Sequence, residues 1–272
     1  MPRPATRRRG TRSLELSHAL VACDLNPRYV ELWPLAQRAW REIAGLEPVL
    51  VLVGAADDVP EWVRADPAVR VFEPVPSLHT AFQAQCIRLL YPALLATDRG
   101  VVVSDIDMVP LNRTYLTRSL ARIDADHFVS YRDVLLDLGE IPICYNAARP
   151  PVWGDVFAVS TADDVRARLS EWADGVVYAG SHGGEGWTTD QRVLYRILLE
   201  RGRRSRDVWI LDDHYTRFRR LNRAYVEKWG RVSEDAARGI ERRRFADFHF
   251  LPPQSELARL NEAVVELAIA AA

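Results

Sequence analysis

Two aspartates, Asp105 and Asp107, are separated by one residue and follow a run of three valines, residues 101–103, after a single serine. Such a run is typical of a central parallel strand, which is buried on both faces. Carboxylates at this spacing cannot share one side of a regular strand, so the pair is expected where the strand becomes a loop. Open α/β sheets bind ligands at such carboxyl ends. Carboxylate oxygens there suit Mn²⁺ or Mg²⁺, which bridges diphosphate oxygens and neutralises the charge of a departing diphosphate.

The chain before this acidic pair has the pattern of a parallel sheet. An apolar run at residues 18–23 ends at Asp24, apolar residues recur at helical spacing over residues 33–43, and a second apolar run covers residues 48–54. A strand, a helix and a strand within about 35 residues form a βαβ unit. A third strand is predicted at residues 69–72. We therefore expect an α/β fold with a mostly parallel central sheet and helices on both faces.

The chain after the acidic pair alternates short apolar runs with helical segments. The runs predict strands at residues 127–131, 143–146, 156–159 and 208–211. Helices are predicted to start at Thr161 and Thr188. Each has the pattern of a capping box, with Asp164 and Gln191 three residues later.

Length and composition limit the domain organisation. The 272 residues are 48% hydrophobic, which is enough for one substantial core. Five arginines fall within the first twelve residues, so we predict a disordered basic tail at residues 1–14 and a single domain at residues 15–272. No apolar run approaches the length of about 18 residues expected of a membrane span, and no secretory signal is recognised. We expect no transmembrane segment and a cytoplasmic location.

Charge and rare residues exclude several functions. The net charge is -1, which gives no general attraction to nucleic acid, and no nucleic-acid partner is expected. Lys228 is the only lysine, so a P-loop lysine is absent. The three cysteines are odd in number and widely spaced, which predicts reduced core thiols.

Six short segments, in order, resemble the GT-A glycosyltransferases of the glycogenin-like and galactosyltransferase-like kind. The resemblance runs from residue 18 to about residue 253. Its segments are the strand at residues 19–23, the helix at 82–89, the acidic pair, residues 144–148, residues 186–191 and residues 247–250. The resemblance implies a GT-A fold, which is Rossmann-like, and a nucleotide-sugar donor.

The resemblance also implies roles for individual residues. A metal ion, Mn²⁺ or Mg²⁺, would be held by Asp105, Asp107 and His249, although His249 is alternatively an ordinary, partly buried histidine. The implied catalytic residues are Asn146, Asp190 and Gln191. The implied donor-binding residues are Ala22, Cys23, Asp24, Asn26, Tyr29, Arg88, Ser104, Asp105 and Ile106. Arg88 is alternatively a surface arginine.

A glycine-rich stretch, residues 183–186, precedes Trp187 and Asp190. It suits an acceptor platform, with Trp187 stacking on a sugar face and His182 and Glu185 binding hydroxyls. The expected reaction transfers a sugar from a nucleotide-diphosphate donor to a hydroxyl of a glycan or another acceptor. Among such donors, a UDP-sugar is preferred. Glycogenin-like chemistry would retain the anomeric configuration, whereas Asp190 acting as a base for in-line attack would invert it. No oligomeric state is predicted.

Two other functions remain open. In a haloacid-dehalogenase-like phosphatase, Asp105 would be the nucleophile and Asp107 the acid/base. That motif normally ends the first strand of the core, whereas about 80 residues with their own βαβ unit precede it here. A non-catalytic nucleotide-sugar-binding protein is the second alternative, and the intact Asp105, Asp107 and His249 argue against it.

Overall fold

The computed structural model describes residues 12–213, 218–251 and 253–272. In that part of the chain the strands are β1 (Leu16–Asp24), β2 (Glu47–Val53), β3 (Val69–Phe72), β4 (Gly100–Val103), β5 (Met108–Pro110), β6 (Phe128–Ser130), β7 (Asn146–Ala148), β8 (Val208–Ile210), β9 (Arg219–Leu221) and β10 (Phe245–His249). The helices are α1 (Pro27–Val30), α2 (Trp33–Glu42), α3 (Glu61–Arg64), α4 (Thr80–Leu90), α5 (Arg113–Arg118), α6 (Pro150–Phe157), α7 (Ala162–Ala173), α8 (Thr189–Arg204), α9 (Arg223–Trp229), α10 (Glu234–Glu241) and α11 (Gln254–Ala271). Short 3₁₀ helices lie at Ala56–Asp58, Tyr91–Leu94 and Leu136–Leu138.

Seven strands form the central sheet in the order β3-β2-β1-β4-β7-β6-β8. Neighbouring strands pair in parallel except at β7, which is antiparallel to both β4 and β6. The three valines of β4, residues 101–103, are fully buried between β1 and β7, as a central position requires. The predicted mixed, mostly parallel sheet is confirmed.

Helices cover both faces of this sheet. Side chains alternate between the two faces along β1. Leu20 and Ala22 belong to a core cluster that includes Phe82 of α4, whereas Val21 belongs to a cluster that includes Trp33 of α2. The amphipathic pattern of α2 and the alternation of β1 therefore produce two cores, one on each side of the sheet.

A second, three-stranded sheet has the order β5-β10-β9. In it β10 pairs antiparallel with β5, and His249 lies opposite Met108. The backbone N–H of Phe250 also donates to the backbone carbonyl of Asp107, at 2.7 Å. This sheet brings the end of β10 beside the loop that follows β4.

Three local predictions need correction. The run at residues 156–159 is the end of α6 and its cap, because a short buried apolar run fits a helix as well as a strand and two prolines start the helix. The strand predicted at residues 143–146 begins only at Asn146. The capping box at Thr161 is confirmed, but Thr188 caps nothing with its side chain, since its hydroxyl donates to Glu140 at 2.7 Å.

The predicted tail boundary at residue 14 is too late. Residues 1–11 lie outside the described part of the chain. Ser13 forms a bridge with Asp124, and the N–H of Leu14 donates to the carbonyl of Ile123 at 2.9 Å. Leu14 is buried in the core, which is the physical reason that it belongs to the folded domain. Among the helices of the described residues, none has the length and apolar character needed to cross a bilayer.

Candidate functional site

The acidic pair lies in a turn between β4 and β5. Strand β4 ends at Val103, and Ser104 is fully buried just beyond it. The Ser104 hydroxyl donates to the backbone carbonyl of Met108 at 3.3 Å. This buried hydrogen bond across the turn stabilises it. Asp105 and Asp107 therefore project from a fixed turn at the carboxyl end of a central strand, where a ligand is expected.

Asp107 and His249 form one half of the site. The Nε2 atom of His249 lies 2.8 Å from Oδ2 of Asp107, although 142 residues separate them in the sequence. Burial by itself would raise the pKa of Asp107, but the hydrogen bond and charge of His249, together with the charge of Arg88, lower it below its ordinary value. Asp107 is consequently an ionised carboxylate near neutral pH.

Arg88 organises the other half of the site. Its guanidinium donates to Asp105 and, at 2.8 Å, to Oδ2 of Asp190. The side chains of Arg88 and Asp190 are 9% and 1% exposed, so this is a buried ion pair. Burial raises the pKa of Asp190, the charge and hydrogen bond of Arg88 oppose that rise, and Asp105 adds to it. Arg88 thereby joins the strand end to the start of α8.

Two potential ligand atoms at this site have a spacing that suits a divalent cation. Adjacent ligands of an octahedral Mg²⁺, each at about 2.1 Å, lie about 3 Å apart. The 2.8 Å separation between the Asp107 oxygen and the His249 nitrogen is close to that value. Asp105 instead faces Arg88, and no group of three or more His, Cys, Asp or Glu side chains forms a metal cluster within the described ranges. Two of the three predicted ligands are therefore brought together.

A cleft of about 210 Å³ opens over these residues. Most of the predicted site residues line it, namely Ala22, Cys23, Asp24, Tyr29, Arg88, Asp105, Ile106, Asp107, Asp190, Gln191 and His249. His182 and Trp187 line it as well. Asp24 is fixed at the cleft by Thr80, whose hydroxyl donates to its carboxylate at 2.9 Å.

Four predicted site residues do not line this cleft, and one of them, Glu185, is exposed in the segment before α8. Asn26 caps α1, since its side-chain oxygen accepts from the N–H of Arg28. Ser104 lies beneath the turn. Asn146 is fully buried, and its amide nitrogen donates to the carbonyls of Pro142 and Ile143, both at 2.8 Å. Asn146 thus supports the chain beneath the cleft through its backbone contacts.

Three residues that line this cleft were not predicted from the sequence. Ala81, Ala84 and Gln85 of α4 line the cleft. They are spaced three and four residues apart on the helical face that also carries Arg88. This spacing could have predicted that they line the same cleft as Arg88. Two alanines on that face leave room for a ligand, and Gln85 adds a polar group.

A second cleft, of about 250 Å³, adjoins the first and shares Tyr29, Asp107, His182 and His249 with it. Its other lining residues are Arg28, Arg223, Glu227 and Leu251. Neither arginine forms an ion pair with any residue that the structure describes. The cleft therefore combines two arginines that form no direct ion pair among the described residues with the carboxylates of Glu227 and Asp107.

No protein-family model and no curated protein matches this sequence. The structure is similar to the apo form of the glycosyltransferase GlyE of Streptococcus pneumoniae TIGR4, with a TM-score of 0.51 and 15% identity over 93% of this chain and 60% of that one. A second GlyE structure gives a TM-score of 0.50 at 13% identity with the same coverage. The galactosyltransferase LgtC, in complex with donor and acceptor sugar analogs, matches at 15% identity over 93% of this chain and 95% of that chain, with a TM-score of 0.45.

The chain thus spans about 60% of the length of GlyE. At such low identity the similarity concerns the fold. Together with the mixed seven-stranded sheet and its two helical layers, it shows that this chain has the fold of the GT-A glycosyltransferases.

Proposed function

We propose that this protein is a metal-dependent glycosyltransferase that moves a sugar from a nucleotide-diphosphate donor, a UDP-sugar, to a hydroxyl of a glycan or another acceptor. One observation carries the proposal. The Asp107–His249 pair and the Arg88 ion pairs with Asp105 and Asp190 converge in one cleft at the carboxyl end of the sheet. The GT-A fold supports the same reaction class.

We infer a separate position in the cleft for each part of such a donor. The nucleoside would lie between Asp24 and Tyr29, where a carboxylate accepts hydrogen bonds and a ring offers a stacking face. A divalent cation, Mn²⁺ or Mg²⁺, would be held by Asp107 and His249, and its charge would stabilise the diphosphate leaving group. The sugar would lie towards Arg88 and Asp190.

The surroundings of Asp190 favour retention of configuration. Its Oδ2 accepts from Arg88, and its Oδ1 accepts from the backbone N–H of Gln191 at 2.9 Å. A carboxylate that is 1% exposed and engaged at both oxygens is poorly placed to take a proton from an incoming acceptor. Asp190 would instead orient Arg88 and the donor sugar.

The phosphatase alternative fits these contacts less well. Its nucleophile would be Asp105, whose carboxylate is bound by the Arg88 guanidinium. The acidic pair also follows β4, the fourth strand of the described residues, after a complete βαβ unit. Release of UDP from a UDP-sugar distinguishes an enzyme from a sugar-binding protein without turnover.

The test begins with calorimetric titration of UDP and GDP, each with and without Mn²⁺. We expect UDP to bind only with Mn²⁺ present. Release of UDP from UDP-glucose, UDP-galactose or UDP-N-acetylglucosamine would then establish turnover, and proton NMR of the first product would report its anomeric configuration. Absence of nucleotide binding, combined with hydrolysis of a phosphate monoester, would replace this proposal with the phosphatase alternative.

The two arginines of the second cleft lead to a separate prediction. The diphosphate gains a negative charge when its bond to the sugar breaks, and Arg28 and Arg223 lie beside the proposed metal ligands to receive it. We expect Arg223→Ala to weaken UDP binding in Mn²⁺ by about tenfold, the loss of one charge-assisted hydrogen bond, and uridine binding much less. Calorimetry with both ligands checks this, with the exposed Arg231→Ala as the control. Equal losses for UDP and uridine would contradict a contact to the phosphates.

A further inference from the structure

Two glutamines on α4, two residues apart, differ in how their side-chain amides are used. Gln83 is fully buried, its oxygen accepts from the N–H of Val75 at 2.8 Å, and its nitrogen donates to the carbonyl of Leu78 at 3.0 Å. Both ends of that amide are bound to the backbone, so Gln83 is a structural residue. Gln85 lines the cleft instead.

The orientation of the Gln85 amide is set by Tyr178. The Tyr178 hydroxyl donates to Oε1 of Gln85 at 3.1 Å. A glutamine amide has two N–H donors on the side opposite its carbonyl oxygen, so occupying the oxygen turns the donors away from Tyr178. Within the described residues the Gln85 amide nitrogen donates no hydrogen bond to the protein. The cleft therefore contains an oriented donor group without a protein acceptor.

Tyr178 is itself held rigidly. Its ring packs against His79 at 5.1 Å, against Phe82 at 5.5 Å and in a stacked arrangement against Trp187 at 6.2 Å, measured between ring centroids. Burial raises the pKa of Tyr178, so its hydroxyl keeps its proton and acts as a donor. Three ring contacts thus fix the group that orients Gln85.

The chain also fixes the segment that carries Tyr178. Gly186 has a φ of 77°, and a Cβ there would lie 2.5 Å from the backbone carbonyl oxygen of Val177. Only glycine allows that approach, which folds residues 176–178 onto the start of the Trp187 segment. The result is a platform that meets α4 at the cleft.

Gln85 lies next to the groups proposed for the sugar. The Nε atom of Arg88 donates to the backbone carbonyl of Gln85 at 3.0 Å, and the Arg88 guanidinium continues to Asp190. This part of the cleft is lined by α4 and by the start of α8. Along a nucleotide sugar, the group that follows the diphosphate is the sugar.

We infer that Gln85 is a specificity-determining residue that donates a hydrogen bond to a hydroxyl of the donor sugar, with Tyr178 as its positioning residue. The inference rests on the proposed function. A site built to hydrogen-bond a hydroxyl discriminates strongly, because its polar group is left unpaired when the hydroxyl is absent or misplaced. Gln85 therefore distinguishes between sugars, whereas it has no contact with the nucleotide.

The test compares dissociation constants for UDP and for UDP-glucose, UDP-galactose and UDP-N-acetylglucosamine, all in Mn²⁺. In Gln85→Leu we expect UDP affinity to stay within about twofold and affinity for the preferred UDP-sugar to fall about tenfold, as for loss of one hydrogen bond to a buried group. Tyr178→Phe keeps the ring contacts and frees the amide to rotate, so the same selective loss should be smaller, about threefold. Tyr91→Phe, a half-buried tyrosine at the end of α4, is the matched control and should change neither affinity.

The outcomes separate this inference from the proposed function. Equal weakening of UDP and UDP-sugar binding in Gln85→Leu, or no weakening of either, overturns the role of Gln85 and leaves the glycosyltransferase proposal standing. A selective loss in Gln85→Leu with an unchanged Tyr178→Phe overturns the positioning role of Tyr178. Failure of the wild-type protein to bind UDP at all removes the proposed function and this inference with it.

Discussion

Replacing Asp107 by alanine should abolish the Mn²⁺-dependent part of UDP binding and lower kcat/KM by about a thousandfold, since a catalytic cation contributes several kcal/mol and each 1.4 kcal/mol is a factor of ten. The reason is local. Asp107 is the ionised partner of His249, and the two atoms that would bind the cation lie 2.8 Å apart. Without the Asp107 carboxylate, the His249 imidazole would be the only one of these two ligands left for the cation. Calorimetry with and without Mn²⁺, followed by UDP release from a UDP-sugar, provides the measurement.

Asp58→Ala is the matched control, because Asp58 is an exposed aspartate in a 3₁₀ helix and lines neither cleft. It should bind UDP and Mn²⁺ as the wild type does. His249→Ala should change the same two quantities in the same direction as Asp107→Ala. Mn²⁺-dependent UDP binding that persists at wild-type strength in Asp107→Ala would show that the cation is held elsewhere.

The largest effect on stability is expected at Arg88. Arg88→Met keeps most of the side-chain volume but leaves Asp190, which is 1% exposed, as a buried charge without its cation. Breaking a buried pair from one side costs about 3–5 kcal/mol in the free energy of unfolding. Urea unfolding without nucleotide or metal measures the loss. Catalytic activity should also vanish, because Arg88 contacts Asp105 as well.

A double variant and a pH series identify the cause of that loss. In Arg88→Met with Asp190→Leu, both charges are replaced by apolar groups, so much of the lost stability should return. In the single variant, the pKa of Asp190 should rise further above its ordinary value. The folded state then binds more protons than the unfolded state, so stability falls as pH rises and recovers as pH is lowered. A double variant no more stable than the single one would mean that Arg88 stabilises the fold by packing instead of by charge.

The amino-acid sequence by itself determined the class of the fold and the position of the acidic pair. The valine run before Asp105 predicted a central strand, and the early βαβ unit predicted the parallel part of the sheet. Both predictions were possible because the spacing of apolar residues along a segment depends on whether one or both of its faces are buried. The capping box at Thr161 was likewise predicted from four adjacent residues. The run at residues 156–159 was assigned wrongly because local periodicity does not distinguish a short buried strand from a buried helix turn.

Only the tertiary structure decided which side chains meet. His249 reaches Asp107 because β10 pairs with β5, and no local pattern fixes that strand order or register. Arg88 was equally consistent with a surface position until α4 and α8 placed it between Asp105 and Asp190. Asn146, which was predicted to be catalytic, is fully buried with its amide bound to two backbone carbonyls, and the Gln85 amide is oriented by the Tyr178 hydroxyl. The residue types that do the chemistry are local information, whereas their contacts depend on packing between segments up to 142 residues apart.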